Sequence, residues 1–185
     1  MVDIYHDELR KKIEIPALQP SFDEPGYLRE LAWEAEAALT KGEIPDCIAA
    51  TIIYQQLIEQ LLINLTELSI FYLQLKIYPE KITIKVKEEI TLGQRIDEFN
   101  RLTIEFKNKS KLVGICREYN KVRIFVAHGI SSGNDVNVIY EKTENIQETY
   151  EQVFTLWYES AKWFYIKINE SIETLKKNGF FNTNG

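Results

Sequence analysis

An arginine and a histidine stand close together in this chain, near the end of an otherwise apolar stretch. Arg123 and His128 are separated by Ile-Phe-Val-Ala, and Gly129 follows the histidine directly. Arginine binds phosphates and carboxylates through paired hydrogen bonds, and histidine exchanges protons near neutral pH. The pair therefore has the chemistry of an anion-binding or proton-transfer site.

A helix must position this pair, because the apolar residues around it recur at helical spacing. They are Leu112, Cys116, Tyr119, Val126 and Ile130. Arg123 falls on the same stripe, and an unpaired guanidinium on a buried face is costly. It therefore requires a carboxylate, a phosphate or a partner surface. Gly129 and the following Ser and Gly residues are stop signals that place His128 at the helix end, near solvent.

Two plainer interpretations stay open. Arg123 can pair with an acid of a neighbouring helix, and His128 can cap the last carbonyls, where the helix dipole favours a cation. The preceding segment is basic and contains Glu118 as its single acid. Its basic residues are Lys107, Lys109, Lys111, Arg117, Lys121 and Arg123. Such a segment is either an anion-binding surface or a solvated helix face.

Composition indicates one globular domain. The chain has 185 residues, of which 45% are hydrophobic, so a substantial core can form. The formal net charge of −6 argues against a surface that binds nucleic acid everywhere. We expect no membrane segment and a cytoplasmic location, because no signal peptide is recognisable and the longest apolar stretch is interrupted by polar residues.

Neither a metal nor another cofactor is predicted. Cys47 and Cys116 belong to no Cys-x-x-Cys or Cys/His cluster, and His6 lies far from His128. The two cysteines are interpreted as reduced, buried thiols.

The pattern along the chain predicts an all-α bundle of about five helices. Pro16 and Pro20 predict an irregular arm over residues 1–22, followed by a helical domain at 23–178 and a flexible tail at 179–185. The five helices are expected from about Asp23 to Gly42, over residues 46–77, after a capping box at Thr91, from Ser110, and over residues 146–177. Period-two alternation adds a short β-ribbon formed by residues 82–86 and 136–140.

The order of these features resembles the HEPN family, the higher-eukaryote and prokaryote nucleotide-binding domains. Leu31-Ala-Trp-Glu-Ala-Glu-Ala-Ala-Leu-Thr-Lys-Gly42 and the following Ile44–Ala50 are similar to the family's opening helical hairpin. Tyr54-Gln-Gln-Leu-Ile-Glu-Gln-Leu-Leu62 is similar to its second-helix run, and Arg123 to His128 matches its R-x4-6-H motif. The resemblance covers about residues 24–175.

The resemblance implies a homodimer in which two Arg/His motifs face one cleft. Active relatives are metal-independent endoribonucleases of the toxin or defence type, so it implies RNA as substrate, products with 2′,3′-cyclic phosphate ends and a nucleotidyltransferase-type antitoxin as a cognate partner. Arg123 and His128 are then the catalytic residues. Arg117, Asn120 and Lys121 become the candidate contacts to RNA phosphates.

One position departs from the family pattern. Many active members carry a polar residue directly after the arginine, whereas this chain has Ile124. Positions 124 and 128 are one helical turn apart, so Ile124 neighbours His128 but cannot orient the imidazole by a hydrogen bond. The alternative function is therefore a non-catalytic HEPN-like module that binds a protein or a nucleotide.

Overall fold

The computed structural model describes residues 2–20, 26–132 and 136–180. Over these residues the chain forms helices and no β-strand, so the predicted all-α helical bundle is confirmed. The α-helices are α1 Val2–Glu14, α2 Gly26–Lys41, α3 Ile44–Ile77, α4 Leu92–Leu102, α5 Lys109–Ser132, α6 Val136–Thr143 and α7 Ile146–Lys177.

Helix α3 is the centre of the bundle. It is apolar around most of its circumference and packs against α2, α4, α5 and α7. A helix with this composition must be buried on several sides, and Leu57, Ile58, Leu61 and Leu62 are all enclosed. Its length and composition also satisfy the criterion for a membrane span, which buried core helices meet as well.

Helix α7 supplies the second half of the core. Trp157, Phe164 and Ile168 are buried against α3, and the Trp157 indole N–H donates to Asn64 Oδ1 at 3.1 Å. Its predicted bounds, 146–177, are confirmed. Tyr158 and Tyr165 lie on the other side of the helix and are exposed.

Helix α4 begins at the predicted capping box. Thr91 Oγ1 accepts from the Gln94 N–H, and Gln94 Oε1 accepts in return from the Thr91 N–H at 3.0 Å. Two donors at the helix start are thereby satisfied. Cys47 and Cys116 are buried free thiols, as predicted.

The predicted β-ribbon is wrong. Val136–Thr143 is the helix α6, in which Ile139 and Thr143, one turn apart, form the buried face. The short apolar run fitted both periods, and packing of the Ile139 face decided for the helix. Residues 82–86 form no helix, and they pair with no strand in the part of the chain that the structure describes.

The predicted irregular arm is also wrong over most of its length. Val2–Glu14 is α1, which buries Leu9 and Ile13 in the core. Both prolines lie beyond its end, where Pro16–Leu18 is a short 3₁₀ turn, so they limit the helix without preventing it. At the other end, Phe180 is buried against Tyr78, which places it in the fold and not in a flexible tail. The expected start of α2 at Asp23 and the tail residues 181–185 lie outside the described residues.

Candidate functional site

Helix α5 presents a buried face and an exposed face. The predicted apolar stripe is buried at Leu112, Cys116, Tyr119 and Val126. On the opposite side, Arg117, Lys121, Ile124 and His128 recur at intervals of three and four, so they share one exposed stripe. Arg123 lies between the two faces and is half-buried.

Two hydrogen bonds join the middle of α5 to α3. The Tyr119 hydroxyl donates to the Thr51 carbonyl at 2.6 Å, and one turn later Arg123 Nε donates to Gln55 Oε1 at 2.7 Å. Both helices advance by four residues between the bonds, so they run in the same direction here. This pairing fixes the direction of the Arg123 side chain.

Arg123 is held by a neutral group. Gln55 is an amide, and no carboxylate of the described residues forms an ion pair with Arg123. The expectation of an acidic partner on a neighbouring helix is therefore not met in the described part of the chain. Among the described residues only Nε has an acceptor, so the two terminal nitrogens of the guanidinium keep their donors for another acceptor.

Gln55 connects Arg123 to a carboxyl group of α3. Its Nε2 donates to Glu59 Oε1 at 3.0 Å. Burial raises the pKa of Glu59 above its ordinary value, against the lowering effects of the Gln55 hydrogen bond and of the nearby cations Arg95 and Arg123. The polar cluster thus contains two guanidinium groups and a carboxyl group that is reluctant to ionise.

Arg95 on α4 forms a buried ion pair with Glu98, one turn away on the same helix. Its Nη2 also donates to the carbonyls of Lys87 and Glu88. Its Nε is buried without an acceptor. The Arg95 charge is therefore neutralised within α4, whereas the Arg123 charge is not neutralised by any ion pair to a described residue.

His128 is exposed near the end of α5. It lies five residues after Arg123, so the two side chains leave an ideal helix about 140° apart and about 7.5 Å apart along the axis. Ile124 stands beside His128 on the exposed stripe and is 41% exposed. The arginine and histidine of one chain therefore do not converge on a single point of the α5 surface.

The three candidate phosphate contacts are placed differently. Arg117 Nη2 lies 3.1 Å from Asp97 Oδ1, and Lys121 Nζ lies 2.7 Å from Glu118 Oε1, both at the surface. Asn120 is half-buried, and its Nδ2 lies 3.2 Å from the position that a Cβ on Gly93 would occupy. Arg117 and Lys121 therefore share the stripe of His128, while Asn120 faces α4.

The basic segment does not form one surface. Lys109 is buried, and its Nζ donates to the Thr103 carbonyl at 2.8 Å. Lys111 lies in a groove with Glu148 and Glu159 of α7. Lys109 therefore serves the packing of α5, and neither lysine extends the exposed stripe.

Cys116 and Tyr119 are unsuited to proton transfer. Burial raises the pKa of the Cys116 thiol to about 12, and burial, followed by the influence of Tyr54, raises the pKa of Tyr119. Both side chains remain protonated at neutral pH, so they are structural. Within residues 2–20, 26–132 and 136–180, no group of three or more His, Cys, Asp or Glu side chains could hold a metal ion.

Sequence reasoning missed the polar partners of the site. Gln55, Glu59 and Arg95 stand among apolar residues of α3 and α4, and that contrast was the available signal. Comparison of the chain with protein-family models, curated proteins and solved structures gives no match. The function is therefore inferred from the geometry of this site.

Proposed function

We propose that this protein is a HEPN-like endoribonuclease that uses Arg123 and His128 in a cleft between two copies of the chain. The observation that supports it is the half-buried Arg123, which is oriented by the amide of Gln55 and not neutralised by a described acid. An arginine with a purely structural role on this face would more often be paired with a carboxylate. A phosphate can complete the coordination of its terminal nitrogens.

The proposed reaction uses the 2′-hydroxyl of the RNA as nucleophile. His128 accepts its proton while the 2′-oxygen forms a bond to the adjacent phosphorus. The bond from phosphorus to the 5′-oxygen breaks, and the leaving oxygen takes up a proton from a second acid. Arg123 stabilises the negative charge that builds up on the phosphoryl oxygens. The products are a 2′,3′-cyclic phosphate and a 5′-hydroxyl.

A second copy of the chain supplies what one copy lacks. In one chain Arg123 and His128 point in different directions from α5, so a phosphate held by this arginine is poorly placed for this histidine. Around a twofold axis, the arginine of one copy meets the histidine of the other. The second histidine can then serve as the acid for the leaving group.

Ile124 favours a second candidate function. It is a large apolar side chain, 41% exposed, in the middle of the stripe that contains Lys121 and His128. An exposed apolar residue among charged ones suits a protein interface that needs no chemistry. The alternative proposal is therefore a non-catalytic module that binds a protein or a nucleotide through this stripe.

The nuclease proposal predicts that Arg123→Ala and His128→Ala each reduce cleavage of single-stranded RNA by about 10²-fold or more, because each removes one part of the transition-state machinery. The assay contains EDTA and analyses product ends for the cyclic phosphate. RNA with a 2′-deoxy substitution at the cleaved position should not react. Lys111→Ala, on α5 but outside the exposed stripe, is the matched control, and circular dichroism checks that each variant folds.

Ile124→Asn separates the two candidates further. A polar side chain one turn before His128 can orient the imidazole, so the nuclease proposal expects faster cleavage in this variant. If the wild type and Ile124→Asn both leave RNA intact while Arg123→Ala unfolds, Arg123 is a structural residue and the interaction module is the better proposal.

A further inference from the structure

The segment Lys81–Lys87, called here the edge segment, runs between α3 and α4 without helix or turn. Its burial alternates, with Ile82, Ile84 and Val86 half-buried and the residues between them exposed, as in an extended strand. No strand of the described residues pairs with it. The backbone N–H and C=O groups of residues 83–86 make no hydrogen bond to another described residue.

Side chains of the bundle fix both ends of this segment. At the first end, Gln74 Oε1 accepts from the Ile82 N–H at 3.0 Å, while Gln74 Nε2 donates to the Glu80 carbonyl at 2.9 Å. At the other end, Glu98 Oε1 accepts from the Lys87 N–H at 3.1 Å, and Arg95 donates to the Lys87 carbonyl. The centre is thus held in place while its own backbone groups are unused.

A groove of about 740 Å³ lies beside the edge segment. Ile82, Ile84 and Val86 line one side of it, and Phe71 and Gln74 of α3 lie on another. In an extended chain, alternate residues direct their backbone groups to the same edge. Because the Ile82 N–H meets Gln74, the free groups of Ile84 and Val86 lie along the side of the segment that faces the groove.

We propose that the edge segment binds an extended acidic peptide of another protein by strand addition. Free backbone groups on a fixed extended chain are a template for pairing with a second strand. Because the segment is already held at both ends, little conformational entropy is lost on binding. Apolar residues of the groove, among them Phe71, accept the alternate apolar side chains of the peptide. Glu8, Glu67 and Glu88 also line the groove, so the acidic side chains of the peptide belong on its opposite face, which is the face of the lysines.

The lysines of the edge segment determine the sign of the charge that a partner must carry. Lys81, Lys85 and Lys87 alternate with the apolar residues, and the segment contains no acid. On a paired strand, side chains of opposite charge on the same face attract one another. A second copy of the chain is a poor partner, since antiparallel self-pairing about Ile84 sets Lys81 opposite the Lys87 of the other copy. A strand that alternates acidic and apolar residues matches both the lysines and the apolar residues of the edge segment.

The test uses a labelled peptide of nine residues that alternates glutamate and valine, titrated against the full chain. We expect saturable binding, with chemical-shift changes and slowed hydrogen exchange at the amides of Ile84 and Val86. A matched peptide that alternates lysine and valine should not bind. Lys85→Glu combined with Lys87→Glu should weaken binding by roughly tenfold or more. Lys142→Glu combined with Lys177→Glu, two exposed lysines outside the groove, should leave it unchanged.

N-methylated peptides separate strand addition from simple charge attraction. Methylation at alternate residues blocks one edge of the peptide, so one of the two methylated series should lose binding and the other should retain it. Equal binding of both series, or of the lysine peptide, would refute the proposal. If copies of the chain associate through residues 81–87 and thereby prevent peptide binding, the proposal is also refuted.

Discussion

The pKa of the Glu59 carboxyl group reflects its burial and the charges around it. Burial is the largest influence on it and raises its pKa, although two arginines and the Gln55 amide favour the ionised form. A group whose pKa is raised on folding binds a proton more tightly in the folded state. Its ionised form therefore destabilises the fold above both pKa values, and this penalty disappears below the unfolded-state pKa.

We predict that Glu59→Gln is more stable than the wild type at pH 7, because glutamine keeps the acceptor oxygen for Gln55 without the buried charge. The advantage should shrink as the pH is lowered from 7 toward about 4, where the wild-type carboxyl becomes protonated. Urea unfolding at several pH values measures the difference. A variant that is less stable than the wild type at pH 7 would mean that attraction to Arg95 and Arg123 outweighs burial.

Glu173 is a control, because its pKa is shifted in the opposite direction. The hydrogen bond and the charge of Lys176 lower the pKa of its carboxyl. A lowered pKa adds stability that is present above the unfolded-state pKa and lost as the pH falls through the folded-state value. Glu173→Gln should therefore be slightly less stable than the wild type at pH 7 and should approach it in acid.

At the scale of elements, the Arg95–Glu98 ion pair has two structural roles. It joins two residues within α4, and it supplies the bonds that fix the Lys87 end of the edge segment. Both side chains are buried, so each needs the other to compensate its lost hydration. The position of residues 81–87 therefore depends on a helix that follows them in the chain.

We predict that Arg95→Met lowers the free energy of unfolding by about 3–5 kcal/mol, because Glu98 is left buried and unpaired. Combining it with Glu98→Leu should cost less than the sum of the two single changes, by at least about 1 kcal/mol. Urea unfolding of the four proteins gives the coupling. Additive effects would show that the two charges act independently.

At the scale of the whole molecule, the proposed nuclease requires two copies. Ile124, directly after Arg123, leaves apolar surface outside the core of one chain, and Arg123 has donors with no acceptor among the described residues. Apolar surface next to unsatisfied charge suits association better than exposure to water.

We predict a homodimer at about 10 μM, within the range that a specific interface of ordinary affinity populates. Analytical ultracentrifugation measures it. Ile124→Glu should shift the protein toward monomer, because it places a charge in the proposed cleft, whereas Ile15→Glu, an equally exposed site beside α1, should not. A wild-type protein that is monomeric at this concentration would contradict the proposal of a cleft shared by two copies.

Several features could be predicted from the sequence because they depend on neighbours in the chain. Apolar spacing located α3, α5 and α7, and the capping box at Thr91 needs only a residue three places away. The same rules failed for residues 136–140, where a short run fits both periods, and for residues 2–14, where both prolines lie beyond the helix and do not exclude it.

The tertiary structure decided which partner each polar side chain has. Arg123 was predictable as a cation on a buried stripe, but its neighbour is 68 positions away, and only the parallel packing of α5 on α3 makes that neighbour Gln55 and not an acid. The backbone of residues 83–86 likewise depends on Gln74 and Glu98, which hold the two ends of the segment, while no described strand pairs with its centre. Local sequence sets periodicity and capping, whereas burial and charge compensation arise from residues that only folding brings together.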